Sequence, residues 1–193
     1  MTRGYLVSGA KFISREELVL RGSDSGGQNL IVTISESFAA LVPIVMRKLQ
    51  DARQTVATAE SCTGGILATA FTTLPGSSAV YIGGVSSYAN SAKSKLLDVD
   101  PALILAHGAV SQEVAIKMSE GVRKELGADW AISVTGVAGP DGGSAEKPVG
   151  TVWFGLAGPR GSAARVSMFS GDRSAVRMAA AEFAMQWLVE ELG

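Results

Sequence analysis

The sequence predicts an α/β domain in which a mixed β-sheet is layered between helices. Three observations carry this. Segments with apolar residues at spacings of three and four alternate with short apolar, β-branched runs over most of the chain. Two β-like runs meet late in the chain about Gly158-Pro159-Arg160-Gly161, a hairpin signature. The 193 residues are 47% apolar and 18% charged, enough to bury a sizeable core. Helix–strand alternation favours parallel neighbours and a hairpin antiparallel ones, so the sheet should be mixed.

Residues 1–35 stand apart as an N-terminal extension of unknown role. They carry two β-like runs, Glu17–Val19 and Leu30–Ile34, around a Ser-Asp-Ser-Gly-Gly turn at 23–27. Residues 36–53 read as a helix with Phe38, Leu41, Val45 and Leu49 on one stripe, and Pro43 should kink it or mark a late start. Thr55–Ala59 reads as a buried strand. Cys62–Thr72 reads as a helix despite Gly64 and Gly65, two poor helix formers whose presence suits close approach of the backbone to a neighbour or ligand.

Pro75-Gly76-Ser77-Ser78 is a turn and Val80–Ser87 a strand. Asn90 should cap a short helix through Leu97, and Asp100-Pro101 should start another that ends at Gly108. Ser111 should cap a longer helix with Val114, Met118, Val122 and Leu126 on its apolar face, stopped by Gly127. Trp130–Thr135 is a further buried strand, followed by the glycine-rich stretch Gly136–Gly150. The hairpin strands are Val149–Ala157 and Ala164–Phe169. Asp172 should cap a last helix carrying Val176, Ala180, Phe183 and Trp187.

Composition excludes several function classes. Seventeen basic and eighteen acidic residues give a net charge of −1, which argues against nucleic acid as a partner. One cysteine, Cys62, forms no intrachain disulfide, and one histidine, His107, leaves most zinc patterns unfilled, so no metal is expected. The apolar run Phe38–Met46 falls far short of the ~20 residues of a membrane span. Residues 1–15 lack the apolar core of a secretory signal. A soluble cytoplasmic protein is expected, with no membrane partner and no cofactor. The apolar helix faces suggest a homo-oligomer.

Three strand ends gather polar residues. Glu60-Ser61-Cys62-Thr63-Gly64-Gly65 joins a strand to a helix, where ligands bind in open α/β sheets and helix N–H groups meet anions. Its structural alternative is a capped helix with a tight turn. Ser78 and Lys93 stand fifteen residues apart, separated by a strand and a turn that can bring them together. Lys93 in the first turn of a helix, and partly buried, would have a lowered pKa, and a neutral amine can take a proton from a serine. A turn serine and a solvated lysine fit the same spacing. Thr135-Gly136-Val137-Ala138-Gly139-Pro140-Asp141-Gly142-Gly143 fits neither nucleotide-binding glycine motif, yet a glycine loop after a strand can present N–H groups to a phosphate, with Lys147 nearby. Arg173 at a helix start can clamp a phosphate or simply be solvated. His107 suits a helix C-terminus, and Cys62 a small buried hydrophobe or, at a helix N-terminus, an activated thiol.

From about Glu36 to its end the chain resembles the CinA C-terminal domain family, the nicotinamide-nucleotide amidases. The likeness lies in Thr58–Gly65, Gly76-Ser77-Ser78, Tyr88–Lys93, His107–Ser111, Gly136–Gly143, Lys147–Trp153 and Gly171-Asp172-Arg173. The resemblance implies that residues 36–193 are an amidohydrolase domain, a C–N hydrolase acting on a linear amide in pyridine nucleotide salvage. Its substrate would be nicotinamide mononucleotide and its products nicotinic acid mononucleotide and ammonia. It implies a metal-free Ser/Lys dyad of Ser78 and Lys93, with Ser61, Tyr88, Thr135 and Arg173 lining the site and Tyr88 a further catalytic residue that would hold Lys93 or relay a proton. Ser61 is the rival nucleophile, because its strand-to-helix turn has the shape of a nucleophile elbow. Gly64, Gly65, Gly136, Gly139 and Arg173 would bind the nucleotide. Many relatives carry a preceding molybdopterin-binding-like domain, for which this chain has no room, so that domain's activity is not expected. Two other readings stand beside the amidase: a non-catalytic nucleotide-sensing module using the same loop and arginine, and an amidase for a different amide.

Overall fold

A computed structural model describes residues 19–23, 29–33 and 35–193. The two β-like runs form strands β1 (Val19–Ser23) and β2 (Asn29–Thr33), which pair antiparallel with Val19 opposite Thr33. The ends expected at Glu17 and Ile34, and turn residues 24–27, lie outside the described residues.

Among the described residues five strands build the main sheet: β3 (Val56–Glu60), β4 (Tyr81–Ser86), β5 (Trp130–Gly136), β6 (Thr151–Gly158) and β7 (Gly161–Met168). Their spatial order is β4-β3-β5-β6-β7. β3 runs parallel to both β4 and β5, whereas β6 pairs antiparallel with β5 and β7. The mixed sheet read from the sequence is therefore present. Among the described residues six helices cover it: α1 (Glu36–Ala52), α2 (Ile66–Thr73), α3 (Asn90–Leu97), α4 (Pro101–His107), α5 (Gln112–Leu126) and α6 (Arg173–Glu191).

Strand alternation sorts the interior into two cores. Val56 of β3 and Ile132 and Val134 of β5 pack with Phe38 of α1, Phe71 of α2 and Trp187 of α6. Ala57 and Ala59 of β3 and Ala131 of β5 face the other way, onto Leu97 of α3, Ile104 of α4 and Met118 and Val122 of α5. Each fully buried side chain of Phe or Leu size contributes ~1.5–3 kcal/mol, so these contacts hold the layers in place. At the strand ends the alternation puts Glu60 on the α2 side and Thr135 on the α3–α5 side, and continued one residue past β3 it puts Ser61 there too.

Local departures from the sequence reading have local causes. α1 starts at Glu36 under a Ser35 cap, not after Pro43; Pro43 lies exposed within the helix, where its missing N–H costs one intrahelical bond. α2 starts at Ile66 rather than Cys62, because Gly64 (φ 62°) and Gly65 (φ 99°) are left-handed and break the helical path. Ala89, not Asn90, is the N-cap of α3, and it makes no side-chain capping bond. Asp100, Ser111 and Asp172 cap their helices through side-chain oxygens as expected. β7 begins at Gly161, three residues before the expected Ala164.

Candidate active site

Because β3, β4 and β5 are parallel, their carboxyl ends share one edge of the sheet. Ser61 immediately follows β3 and is fixed by its own N–H, which donates to the Val134 carbonyl of β5 at 2.9 Å. Ser87 follows β4, and its N–H donates to the Glu60 carbonyl at 2.7 Å. The chain then turns into α3, and Lys93, the fourth residue of that helix, folds back over the turn it came from.

Lys93 is 1% exposed. Its Nζ donates to Ser61 Oγ at 2.9 Å, to the Ser87 carbonyl at 2.7 Å and to the Tyr88 carbonyl at 3.4 Å. Three acceptors thus match the three hydrogens of an ammonium. Loss of one proton leaves two hydrogens for the two carbonyls and a lone pair facing the Ser61 hydroxyl. Burial pulls the Lys93 pKa down from 10.5 to about 8, against a weaker opposing effect of the Cys62 sulfur. The cause is desolvation, since no carboxylate pairs with the amine among the described residues. Such an arrangement can pass a proton between a hydroxyl and an amine near neutral pH.

The pair opens into a cavity of about 180 Å³ whose walls include Ser61, Cys62, Tyr88, Asn90, Lys93, Thr135, Gly136 and Arg173. Hollows of about 620 and 930 Å³ lie among α3, α4 and α5, but among the described residues neither brings a hydroxyl to an amine. Thr135 is buried, and its hydroxyl donates to the Ala109 carbonyl at 2.8 Å, tying the end of β5 to another wall of the cavity. Arg173 begins α6 and crosses the rim: one Nη donates to the Gly139 carbonyl at 2.8 Å, the other to the Tyr88 hydroxyl at 3.1 Å. Tyr88 is 64% exposed, so this rim faces solvent.

Ser78, the other nucleophile candidate, sits elsewhere. It is exposed in the short 3-10 turn Ser77–Ala79 that precedes β4. Lys93 attaches beyond the opposite end of that strand, and six residues at ~3.3 Å each separate the two ends by about 20 Å. The contact expected between Ser78 and Lys93 is absent; the hydroxyl that meets Lys93 is Ser61. Strand direction is the reason, because the residue before a strand and the residue after it lie on opposite edges of the sheet.

The glycines divide similarly. Gly136 lines the cavity and Gly139 holds Arg173 through its carbonyl. Gly64 and Gly65 do not line it, and the anion at the N-terminus of α2 is internal. The Glu60 carboxylate accepts from the N–H groups of Gly65 at 2.9 Å, Leu67 at 3.2 Å and Ala68 at 2.9 Å. That helix end is already satisfied, so it is not open to a phosphate. Lys147 points away, donating to the His107 carbonyl at 2.6 Å. His107 closes α4 and meets Glu113 at 3.4 Å, in keeping with its structural reading. Burial pushes the Cys62 thiol up to about 11, so it is a neutral wall residue.

Sequence reasoning overlooked Glu60 and Arg177. A carboxylate ending a buried apolar strand directly before a helix was the available signal for the first. Four-residue spacing from Arg173 on one helix was the signal for the second: Arg177 donates through Nε to the Cys62 carbonyl at 3.0 Å and through Nη2 to the Thr63 carbonyl at 2.8 Å.

Residues 39–192 match the CinA C-terminal domain. A CinA-like protein of Geotalea uraniireducens is 45% identical over 91% of this chain, which spans 42% of that protein. The nicotinamide-nucleotide amidohydrolase of Enterobacter agglomerans is 53% identical over 70% of this chain and 84% of its own length. Among solved structures, a competence-damaged protein (CinA) superfamily protein of Klebsiella pneumoniae superposes with a TM-score of 0.78 at 38% identity, over 80% of this chain and 97% of that one. The competence/damage inducible protein of Agrobacterium tumefaciens gives 0.79 at 35% identity, over 81% and 96%. No helix among the described residues is long and apolar enough to cross a membrane.

Proposed function

The chain belongs to the CinA C-terminal domain family, and from that premise we propose that it hydrolyses the carboxamide of nicotinamide mononucleotide to nicotinic acid mononucleotide and ammonia. The observation that carries the reading is the buried Lys93 amine 2.9 Å from the Ser61 hydroxyl, at the mouth of a small cavity. Ser61 is the nucleophile and Lys93 the base. Neutral Lys93 takes the Ser61 proton as Oγ bonds to the carboxamide carbon. The resulting ammonium gives that proton to the departing nitrogen, the C–N bond breaks and ammonia leaves. Water then loses a proton to Lys93 and attacks the Ser61 ester; Lys93 returns the proton to Oγ as the acid departs.

At about 180 Å³ the cavity is smaller than the ~300–1,000 Å³ of pockets that enclose whole ligands, so it takes the pyridine carboxamide and leaves the ribose phosphate at the rim. Arg173, held by Gly139 and Tyr88, is the cation at that rim and binds the 5′-phosphate. Thr135 shapes the wall. A nucleotide sensor or binding module has no use for a desolvated amine beside a serine, which favours catalysis over sensing.

Ammonia release across nicotinamide mononucleotide, its riboside, free nicotinamide and unrelated amides tests this. The mononucleotide should be hydrolysed fastest. Tight binding of the mononucleotide without turnover would leave a sensor, and faster turnover of an unrelated amide would change the substrate.

A further inference from the structure

The segment after Ser61 is gripped from two sides. Glu60 draws the N–H groups of Gly65, Leu67 and Ala68 toward the α2 layer. Arg177, half-buried on α6, spends its guanidinium on the successive carbonyls of Cys62 and Thr63, more than a hundred residues away in sequence. No carboxylate pairs with Arg177 among the described residues, so its charge is directed at these two peptide groups. A trans peptide points its N–H opposite to its carbonyl. Pulling the Cys62 and Thr63 carbonyls toward α6 therefore turns the Thr63 and Gly64 N–H groups away from it. The Thr63 N–H falls beside the Cys62 sulfur, and that residue lines the cavity next to Lys93. The amides of Cys62 and Thr63 both lie against the Cys62 sulfur and bond to no oxygen among the described residues.

We infer that Arg177 is a positioning residue: by holding the Cys62 carbonyl it fixes the Cys62–Thr63 peptide plane so that the Thr63 N–H group faces the carboxamide oxygen as it becomes an oxyanion. The inference rests on the reading of Ser61 as the nucleophile. Donors set in advance act where charge develops, not in the ground state. Arg177 itself stays on the far side of the turn and touches no substrate. A Cβ on Gly64 would meet Arg177 Nη2 at 3.3 Å, which shows how closely the guanidinium is packed under the turn.

The test uses the full chain, Arg177→Met and Arg177→Lys. Three quantities are measured: steady-state ammonia release from nicotinamide mononucleotide, the rate at which a fluorophosphonate labels Ser61 (read by peptide mass), and the melting temperature. Arg177→Met should lower kcat and the Ser61 labelling rate together by about 10- to 100-fold, with KM within about threefold, as for a displaced oxyanion donor. Arg177→Lys, which keeps the charge but reaches one carbonyl, should fall between, and it carries the test should the methionine variant not fold. Full-rate labelling and unchanged kcat in the folded variants, whatever happens to melting, would overturn the inference. So would a rise in KM at constant kcat, which would make Arg177 a substrate contact. Absence of Ser61 labelling in the unaltered chain would instead overturn the nucleophile reading, and this inference with it. Labelled Ser61 without ammonia release would overturn the substrate while leaving the role of Arg177 open to confirmation or refutation by the labelling rates.

Discussion

The two ends of β4 carry similar residues in opposite circumstances. Before the strand, Ser78 sits on an exposed turn behind Gly76. After it, Ser87 and Tyr88 offer their carbonyls to a buried lysine that also reaches Ser61. Ser78 is fifteen residues from Lys93 in sequence and Ser61 is thirty-two, yet the more distant serine makes the contact. In a parallel sheet, closeness is decided by which end of a strand a residue occupies, not by the length of chain between them.

The largest effect should separate the two serines. Ser61→Ala and Lys93→Ala should each lower kcat by about 10³-fold or more, the scale seen when a nucleophile or its base is removed. Ser78→Ala should change it less than about twofold. A dead Ser78 variant beside an active Ser61 variant would reverse the comparison. Arg173→Ala should come next, raising KM for the mononucleotide by about tenfold or more through loss of a charge-assisted bond, with little effect on the riboside. Equal losses on both substrates would detach Arg173 from the phosphate.

Acidity sharpens the contrast further. Activity should rise about tenfold per pH unit below 8 and level off above it, because Lys93 with a pKa of about 8 must be neutral to act. The Cys62 thiol, pushed up to about 11 by burial, stays neutral through that range. A profile flat from pH 6 to 9 would remove Lys93 as the base. The smallest effect is on stability. With its folded pKa below the unfolded 10.5, Lys93 weakens the fold below pH 8; that penalty, at most ~3 kcal/mol, disappears as pH rises from 8 to 10.5. Denaturant titrations should show the unaltered chain gaining on Lys93→Met across that window and nowhere below it.

Much of the fold was legible because it is written in periodicity. Val114, Met118 and Val122 mark a helix face, and Asp100, Ser111 and Asp172 announce their caps. The start of α2 was not legible, since Gly64 and Gly65 can be helical or left-handed and only the bond from Gly65 to Glu60 decides between them. Lys93 was legible as a candidate because a lysine early in a helix invites the question of its charge. Its partner was not, because the choice between Ser61 and Ser78 depends on strand direction and register, which spacing does not encode. For Arg177 the spacing from Arg173 hints only at a shared helix face; its partners are main-chain carbonyls on a different element, and they leave no trace in residue types.

Among the described residues β4 is also the outermost strand on its side of the sheet, bonded along one flank only. The lysine's socket hangs from that margin, secured to its neighbour at Ser87 by a single amide. Margins loosen before interiors do. On warming, catalysis should therefore fade while the helices still give their full circular dichroism, with exchange of the Ser87 amide quickening in step.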